Sequence, residues 1–353
     1  PPKSVCLFGM AFQEGQRLID MDSEMRRELY QRGFVARYNF DNIICDDPET
    51  QALFELAKRI SKFSAPILLT GETGSGKNLP KNEVGGAAAL KHTGLVSCVC
   101  KKMSDIRASI GKVLGILPDF GGAVLDDGED LNKAFPALNK KCGAAELIKA
   151  VFDADSFVEI GNNSAPEVRC ILGRVGGISV AAVVFDGENG VLLDAVNIAK
   201  ITSFVEFASY YNLPFVTFVD TLGIRADLQT NDSPVLKNIF KLMETYDLLD
   251  NAKISVVYKK AIGLGYTLFA AKSMGFDYNY AFADAEISLF DSAKGAEIEF
   301  ADERKADKAK LAQKYAADKS DPINAAKFGD IDNIIEPQFV KQYLIASLQM
   351  LLK

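Results

Sequence analysis

The sequence predicts an α/β fold with largely parallel strands, and two observations support this prediction. From about residue 157 onward, runs of Val, Ile and Phe alternate with segments whose apolar residues recur at helical spacing. Three of these runs, 180–185, 215–220 and 254–258, are mostly apolar. A strand that helices cover on both faces of a parallel sheet has this composition.

The run over 180–185 is followed by a predicted helix. Asp194 is expected to cap this helix, because a carboxylate can accept hydrogen bonds from the free amides of a first turn. Apolar side chains then recur every three or four residues, which defines a buried face. They are Ile198, Ile201, Phe204, Val205, Ala208 and Tyr211.

The run over 215–220 leads to a second helix. Ser233 is predicted to cap it, with Pro234 at its first position, where the N–H that proline lacks would have no partner. The inner face of this helix is predicted to consist of Leu236, Ile239, Phe240 and Met243.

The alternation continues to residue 320. After the run over 254–258 we expect a turn of small residues, a helix from Tyr266 to Met274 and a strand over 287–290. Residues 301–320 are rich in Ala, Lys and Asp. This composition predicts a helix that lies on the surface in contact with water.

Composition and charge exclude several classes of function. Among the 353 residues, 40 Lys and Arg face 47 Asp and Glu, and the formal net charge is −7. A nucleic-acid-coating surface needs the opposite balance. The single histidine argues against a His-rich metal site and a His-based triad. The scattered cysteines, without any C-x-x-C, indicate thiols in a cytoplasmic protein.

The segment 71–77 fits the phosphate-binding pattern G-x-x-x-x-G-K and follows an apolar run over 66–70. The residues that would hold phosphate are Gly71, Gly74, Gly76 and Lys77. Residues 40–77 resemble the start of the ATPase domain of AAA+ enhancer-binding transcription activators. No apolar strand ending in Asp-Glu follows at the distance that this family requires, which favours a phosphate loop without hydrolysis. An ATP-binding regulator is therefore the least favoured function.

The segment from Val257 to Tyr266 is the strongest candidate for chemistry. A strand ends there, small residues follow and a helix begins. The amides of Leu264 and Gly265 would have no intrahelical acceptor, and the helix dipole would favour negative charge beside them. Such a pair of amides can form an oxyanion hole from backbone alone. The alternative role for these glycines is close packing of strand and helix.

A second candidate is the segment 220–224, at the carboxyl end of a predicted strand. Ligands often bind at the carboxyl ends of parallel strands. Turn geometry is the alternative explanation for Gly223.

From about residue 145 the chain resembles the C-terminal half of the carboxyltransferase subunit of biotin-dependent acyl-CoA carboxylases and decarboxylases. Several sequence blocks occur in the order that this family has. They are 144–148, 153–159, 174–180, 212–223, 260–266, 277–282, 285–287 and 325–337. Together these blocks are more specific than either glycine loop alone.

The resemblance implies a crotonase-like fold, a superhelix of β-β-α units, with a short N-terminal appendage. Residues 1–78 would form the appendage and residues 79–353 the carboxyltransferase domain. The implied reaction moves a carboxyl group between carboxybiotin and the α-carbon of an acyl-CoA, through two backbone oxyanion holes. The hole of the C-terminal half, which holds the ureido oxygen of biotin, corresponds to Leu264 and Gly265, preceded by Gly263. Leu264 replaces a glycine of the family and keeps the N–H.

The resemblance also implies contacts and partners. The residues that would surround biotin are Leu222, Gly223, Ile262 and Tyr266. The implied partners are an N-terminal carboxyltransferase half or subunit, a biotin carboxyl carrier protein, biotin carboxylase or decarboxylase subunits, and further copies of this chain. No metal is expected. The alternative is a non-catalytic crotonase-like scaffold, because the first oxyanion hole is not recognisable in the sequence.

Overall fold

The structure is a computed structural model that describes residues 96–100, 102–118, 132–140, 142–225, 234–302 and 307–352. The chain divides into two units, Pro1–Ala108 and Ser109–Lys353. The predicted strand over 66–70 and the phosphate loop of Gly71, Gly74, Gly76 and Lys77 lie outside the described residues. The domain boundary between residues 78 and 79 stays a prediction.

One mixed sheet forms the centre of the second unit, and nine of its strands fall within the described residues. The strands are β1 (Phe157–Ile160), β2 (Val168–Val175), β3 (Ile178–Phe185), β4 (Val191–Leu193), β5 (Phe215–Ile224), β6 (Lys253–Ile262), β7 (Tyr278–Phe282), β8 (Glu286–Ser288) and β9 (Asn333–Ile335). Their order is β1-β2-β3-β5-β6-β7-β9, with β4 beside β5 and β8 beside β6. Every pair from β3 to β9 is parallel, as predicted.

The antiparallel edge β1-β2-β3 was not predicted. Gly176 and Gly177 join β2 to β3 with φ angles of 58° and 79°, which glycine adopts without strain. The Asp153 carboxylate accepts hydrogen bonds from both glycine amides at 3.0 and 2.8 Å. The buried Lys341 ammonium lies 2.7 Å from the same carboxylate. The glycine pair of the 174–180 block is therefore a tight, anchored hairpin turn.

Helices cover both faces of the sheet. The helices of the described residues are α1 (Met103–Ile116), α2 (Ala144–Val151), α3 (Ala195–Tyr210), α4 (Val235–Asp247), α5 (Leu264–Phe269), α6 (Ser292–Glu299), α7 (Lys308–Tyr315), α8 (Pro322–Lys327) and α9 (Val340–Leu351). Helices α3, α4 and α5 pack on the face that contains Phe215 and Val219. Helices α2 and α9 pack on the face that contains Val216 and Phe218. None of the described helices is long and apolar enough to cross a membrane.

The predictions for α3 are confirmed. The Asp194 carboxylate accepts hydrogen bonds from the amides of Val196 and Asn197, at 2.9 and 3.0 Å. The Asn197 side-chain oxygen in turn accepts a hydrogen bond from the Asp194 amide, which completes a capping box. The predicted apolar face is buried except at Tyr211, which follows the last helical residue and is partly exposed.

The predicted inner face of α4 was partly wrong. Leu236 is 44% exposed and Phe240 is 69% exposed. The buried residues of this helix are Val235, Ile239, Leu242, Thr245 and Tyr246. The helix carries two overlapping apolar stripes, and the sheet and α3 bury the one that contains Ile239 and Tyr246. Pro234 is the residue before the helix rather than its first residue, and Ser233 lies outside the described residues.

Other boundaries also differ from the prediction. β5 continues to Ile224 and β6 to Ile262, whereas β8 ends at Ser288. The predicted helix from Tyr266 to Met274 is divided in the structure. It begins earlier, as α5, which ends at Phe269, and a separate 3-10 turn covers Lys272–Met274. The charged helix is shorter than 301–320: α7 spans Lys308–Tyr315 and continues as a π-helical turn.

Candidate functional site

The parallel pairing of β5 and β6 brings the two predicted segments to one place. Thr221 of β5 pairs with Ala261 of β6, close to the carboxyl ends of both strands. A Cβ atom added to Gly265 would lie 2.4 Å from Thr221 Cγ2 and 3.3 Å from Gly223 Cα. The segments 220–224 and 257–266 therefore form a single candidate site.

Gly263 makes the turn from β6 into α5. Its φ of 56° falls in the left-handed region that favours glycine. Its N–H donates to the carbonyl oxygen of Ser288 at 2.9 Å. The Gly263 amide therefore has an acceptor within the protein and is not available to a ligand. The conformation of Gly263 sets the direction in which α5 begins.

Leu264 and Gly265 occupy the first two positions of α5. Within the part of the chain that the structure describes, neither amide has a hydrogen-bond acceptor, as expected for a first helical turn. The Leu264 side chain is 50% exposed, whereas Gly265 is buried against Thr221. The predicted pair of amides at a helix start is thus present, although Gly265 lies deeper than Leu264.

The segment opposite these amides is fixed by the hydroxyl of Thr221. This hydroxyl donates to the carbonyl oxygen of Val191 at 2.8 Å and accepts from the Gly223 amide at 3.0 Å. Gly223 lies inside β5, beside a shift in the pairing with β4, and its φ of 98° accounts for glycine there without the turn that was the predicted alternative. Leu222 is partly exposed. Its side chain lies against Gly190, next to β4.

The other two residues predicted to contact biotin face the interior. The Ile262 side chain is only 4% exposed. The Tyr266 ring packs against the core cluster, and its hydroxyl is buried near the Asp330 carboxylate. Burial raises the pKa of this phenol. Ile262 and Tyr266 therefore support the site through their packing in the protein interior.

An ion pair next to the site was not predicted from the sequence. Lys259 Nζ lies 3.1 Å from Asp220 Oδ2, and the side chains are 37% and 1% exposed. Asp220 Oδ1 is buried without a hydrogen-bond partner among the described residues. Burial raises the pKa of the Asp220 carboxyl, and the charge of Lys259 opposes the rise. The sequence signal was an acidic residue at the end of an apolar strand.

The same ion pair spans an irregularity of the sheet. Val219 pairs with Val257, but Thr221 pairs with Ala261, so β6 contains extra residues between these two positions. Lys259 belongs to this bulge. Bulges bend a strand and redirect its side chains, often beside active sites. This bulge immediately precedes the turn that carries the amides of Leu264 and Gly265.

A cavity among the described residues lies away from this site. It has a volume of about 240 Å³, and its lining includes Asn251, Lys253, Gly275 and Asp277. Lys253 is the first residue of β6, so this cavity lies at the amino ends of the strands. The candidate site is an open surface at their carboxyl ends. We favour this surface over the cavity as the functional site because the amides of Leu264 and Gly265, which lack acceptors among the described residues, lie there.

We expect Gly265→Ala to disrupt the site, because the added methyl group would collide with Thr221 Cγ2. Overpacking of this kind typically costs about 1–3 kcal/mol of unfolding free energy. Thr221→Ser removes the colliding methyl group and keeps the hydroxyl, so the double variant should recover most of this loss. Urea denaturation of the three variants measures the effect. Equal losses in Gly265→Ala and in the double variant would contradict the contact.

Comparison with known proteins places most of the chain in one protein family. The profile of the carboxyl transferase domain family matches residues 61–353. This match overlaps the end of the segment 40–77, which resembles the AAA+ ATPases. Among the described residues, no group of three or more His, Cys, Asp and Glu side chains is arranged to hold a metal ion.

Curated relatives share the same family. The carboxyltransferase subunit of propionyl-CoA carboxylase from Haloferax mediterranei is 30% identical over 214 residues, which are 58% of this chain and 41% of that protein. Methylmalonyl-CoA decarboxylase subunit alpha from Veillonella parvula is 26% identical over 309 residues, 82% of this chain and 60% of that protein. The chain thus spans between about two fifths and three fifths of these two relatives.

A solved structure gives the same fold. Transcarboxylase 12S, with hydrolysed methylmalonyl-coenzyme A bound, superposes with a TM-score of 0.71 at 25% identity. The superposition covers 78% of this chain and 57% of that one. The predicted crotonase-like fold is confirmed. From residue 61 to its C-terminal lysine, this chain belongs to the carboxyl transferase domain family.

Proposed function

We propose that this chain is the biotin-binding half of a biotin-dependent acyl-CoA carboxyltransferase. The observation that supports this most strongly is the pair of unbonded amides at Leu264 and Gly265, packed against the Thr221–Gly223 segment in a member of the carboxyl transferase family. Relatives named as propionyl-CoA carboxylase and methylmalonyl-CoA decarboxylase support acyl-CoA as the substrate class.

The role of the two amides follows from electrostatics. Each N–H donates to an oxygen that gains negative charge during the reaction, and the helix start adds a favourable dipole. Because the amides are fixed by the fold, little reorganisation is needed when charge develops. Carboxybiotin supplies the transferable carboxyl group when its carrier delivers it. No titrating side chain is required for this stabilisation.

The surface around the amides suits an uncharged bicyclic ring. Leu264, Leu289 and Phe290 are 50%, 71% and 40% exposed, and Leu289 follows Ser288, whose carbonyl binds the Gly263 amide. Apolar side chains can cover the hydrocarbon edges of such a ring, while the amides bind its polar oxygen. Leu222 contributes from the facing segment. The residue types present therefore fit biotin.

The rest of the proposal concerns parts that the described residues do not contain. The acyl-CoA thioester would be held by an N-terminal carboxyltransferase half or subunit. A biotin carboxyl carrier protein and biotin carboxylase or decarboxylase subunits would complete the system. We further propose that residues 79–353 form the carboxyltransferase domain, that copies of the chain associate, and that the protein is cytoplasmic. That no metal takes part stays a prediction.

Decarboxylation tests the proposal directly. The chain is mixed with a matching N-terminal half, free biotin and methylmalonyl-CoA, and release of propionyl-CoA is followed by chromatography. We expect release that requires both halves and biotin. A folded mixture that shows no rate above the biotin-free control would reject catalysis and leave the non-catalytic scaffold.

A further inference from the structure

Two cysteine thiols lie side by side in a segment that neither the fold nor the proposed function uses. The Sγ atoms of Cys98 and Cys100 are 3.5 Å apart and hydrogen-bonded to each other. Both residues carry thiols, and Cys98 is exposed while Cys100 is partly buried. The segment 96–100 lies outside helices and strands.

The spacing explains the contact. With one intervening residue and no helix in the segment, the side chains of residues i and i+2 can lie on the same side of the backbone, and here the two sulfurs meet. A disulfide needs the sulfurs at about 2.05 Å, which requires a further approach of the two side chains. A disulfide across so short a loop is strained, and strained disulfides are readily reduced again.

The other described cysteines provide a contrast. Cys170 is 1% exposed, and burial raises the pKa of its thiol to about 12. Burial also raises the pKa of the Cys142 thiol to about 12. Because the thiolate is the reactive form, both are expected to be inert at neutral pH. Among the described cysteines, we therefore expect an oxidant to react first with Cys98, whose thiol is exposed.

We propose that Cys98 and Cys100 form a redox-reactive dithiol, which hydrogen peroxide converts into an intramolecular disulfide that a thiol reductant reverses. Cys98, the more exposed thiol, attacks the peroxide as its thiolate. The O–O bond breaks, a sulfenic acid forms on Cys98 and one water leaves after protonation. The Cys100 sulfur then attacks the Cys98 sulfur and displaces the second water. In total the two thiols lose two protons and two electrons, and hydrogen peroxide is reduced to two waters.

Mass spectrometry of the full chain tests this inference without reference to carboxyl transfer. Cleavage after Lys91 and Lys101 gives a peptide, 92–101, that contains these two cysteines and no other. After a stoichiometric dose of hydrogen peroxide and alkylation of the native protein, we expect this peptide to lose two hydrogens and both alkylation sites. Dithiothreitol should restore both sites. Cys142 and Cys170 should alkylate only after denaturation.

A variant separates this mechanism from ordinary surface oxidation. In Cys100→Ser, which removes only the second sulfur, sulfenic acid should persist on Cys98 and be trapped by dimedone. In the unaltered chain dimedone trapping should be lost, because Cys100 reacts first. Equal trapping in both proteins, or disulfide-linked dimers formed through Cys98 in the unaltered chain, would overturn the proposal.

Discussion

Leu264→Pro is expected to lower the rate of carboxyl transfer by about 10²–10³-fold while the fold remains intact. The loss corresponds to about 2.7–4 kcal/mol, the usual effect of removing one donor from an oxyanion hole. Leu264 is the first residue of α5. Proline is tolerated at that position because its missing N–H makes no helical hydrogen bond. Gly263 precedes it and has no Cβ that could collide with the proline ring.

Leu264→Ala is the matched control. It removes the exposed side chain and keeps the N–H, so we expect only a modest change, mainly in the apparent affinity for biotin. The assay compares kcat and KM for free biotin in both variants, with the circular dichroism spectrum as the check on folding. Equal losses of kcat in the two variants would show that the side chain, and not the amide, is important.

The strands at the centre of the sheet could be predicted, but their carboxyl ends could not. Polar residues at Asp220, Lys259 and Lys260 indicated that the apolar strands stop there. In the structure the strands continue, because Asp220 and Lys259 form an ion pair and Lys260 lies 3.7 Å from Glu286. Pairing with Lys259 offsets part of the penalty for burying the Asp220 carboxylate, and a single sequence does not show such long-range partners.

The buried face of α4 also could not be predicted from the sequence alone. Leu236 and Phe240 continue the helical period as well as Val235 and Leu242 do. Periodicity finds the helix, but only contact with the sheet selects the buried stripe. Phe240 therefore remains 69% exposed despite its apolar ring.

The candidate site was predictable as two segments and not as one surface. Each segment was identified from a glycine at a strand end. Their approach depends on the parallel register of Thr221 with Ala261, which no local pattern specifies. The hydrogen bond from Gly263 to Ser288 likewise requires β8. This strand comes later in the chain and pairs with the last three residues of β6.

Removing Lys259 is expected to destabilise the protein more than removing the charge of Asp220. Lys259→Met leaves a carboxylate that is 1% exposed without its cation. Breaking a fully buried pair in this way costs about 3–5 kcal/mol, and we expect about 2–4 kcal/mol because Lys259 is partly solvated. Asp220→Asn removes a buried charge that the fold disfavours and lets Lys259 turn to water, so we expect a loss of at most about 1 kcal/mol, the net contribution of one ordinary hydrogen bond.

The pH dependence of the free energy of unfolding shows whether the buried Asp220 carboxylate causes the destabilisation. The folded-state pKa of Asp220 lies above its ordinary value of 3.8, so the folded state binds the proton more tightly than the unfolded state. Its burial therefore destabilises the protein above the raised pKa, and stability returns as the pH falls toward 3.8. Lys259→Met raises this pKa further, so its defect should shrink at mildly acidic pH, whereas that of Asp220→Asn should not. Urea denaturation across this pH range, with the double variant, measures both effects, and a pH-independent defect in Lys259→Met would contradict an unpaired buried carboxylate.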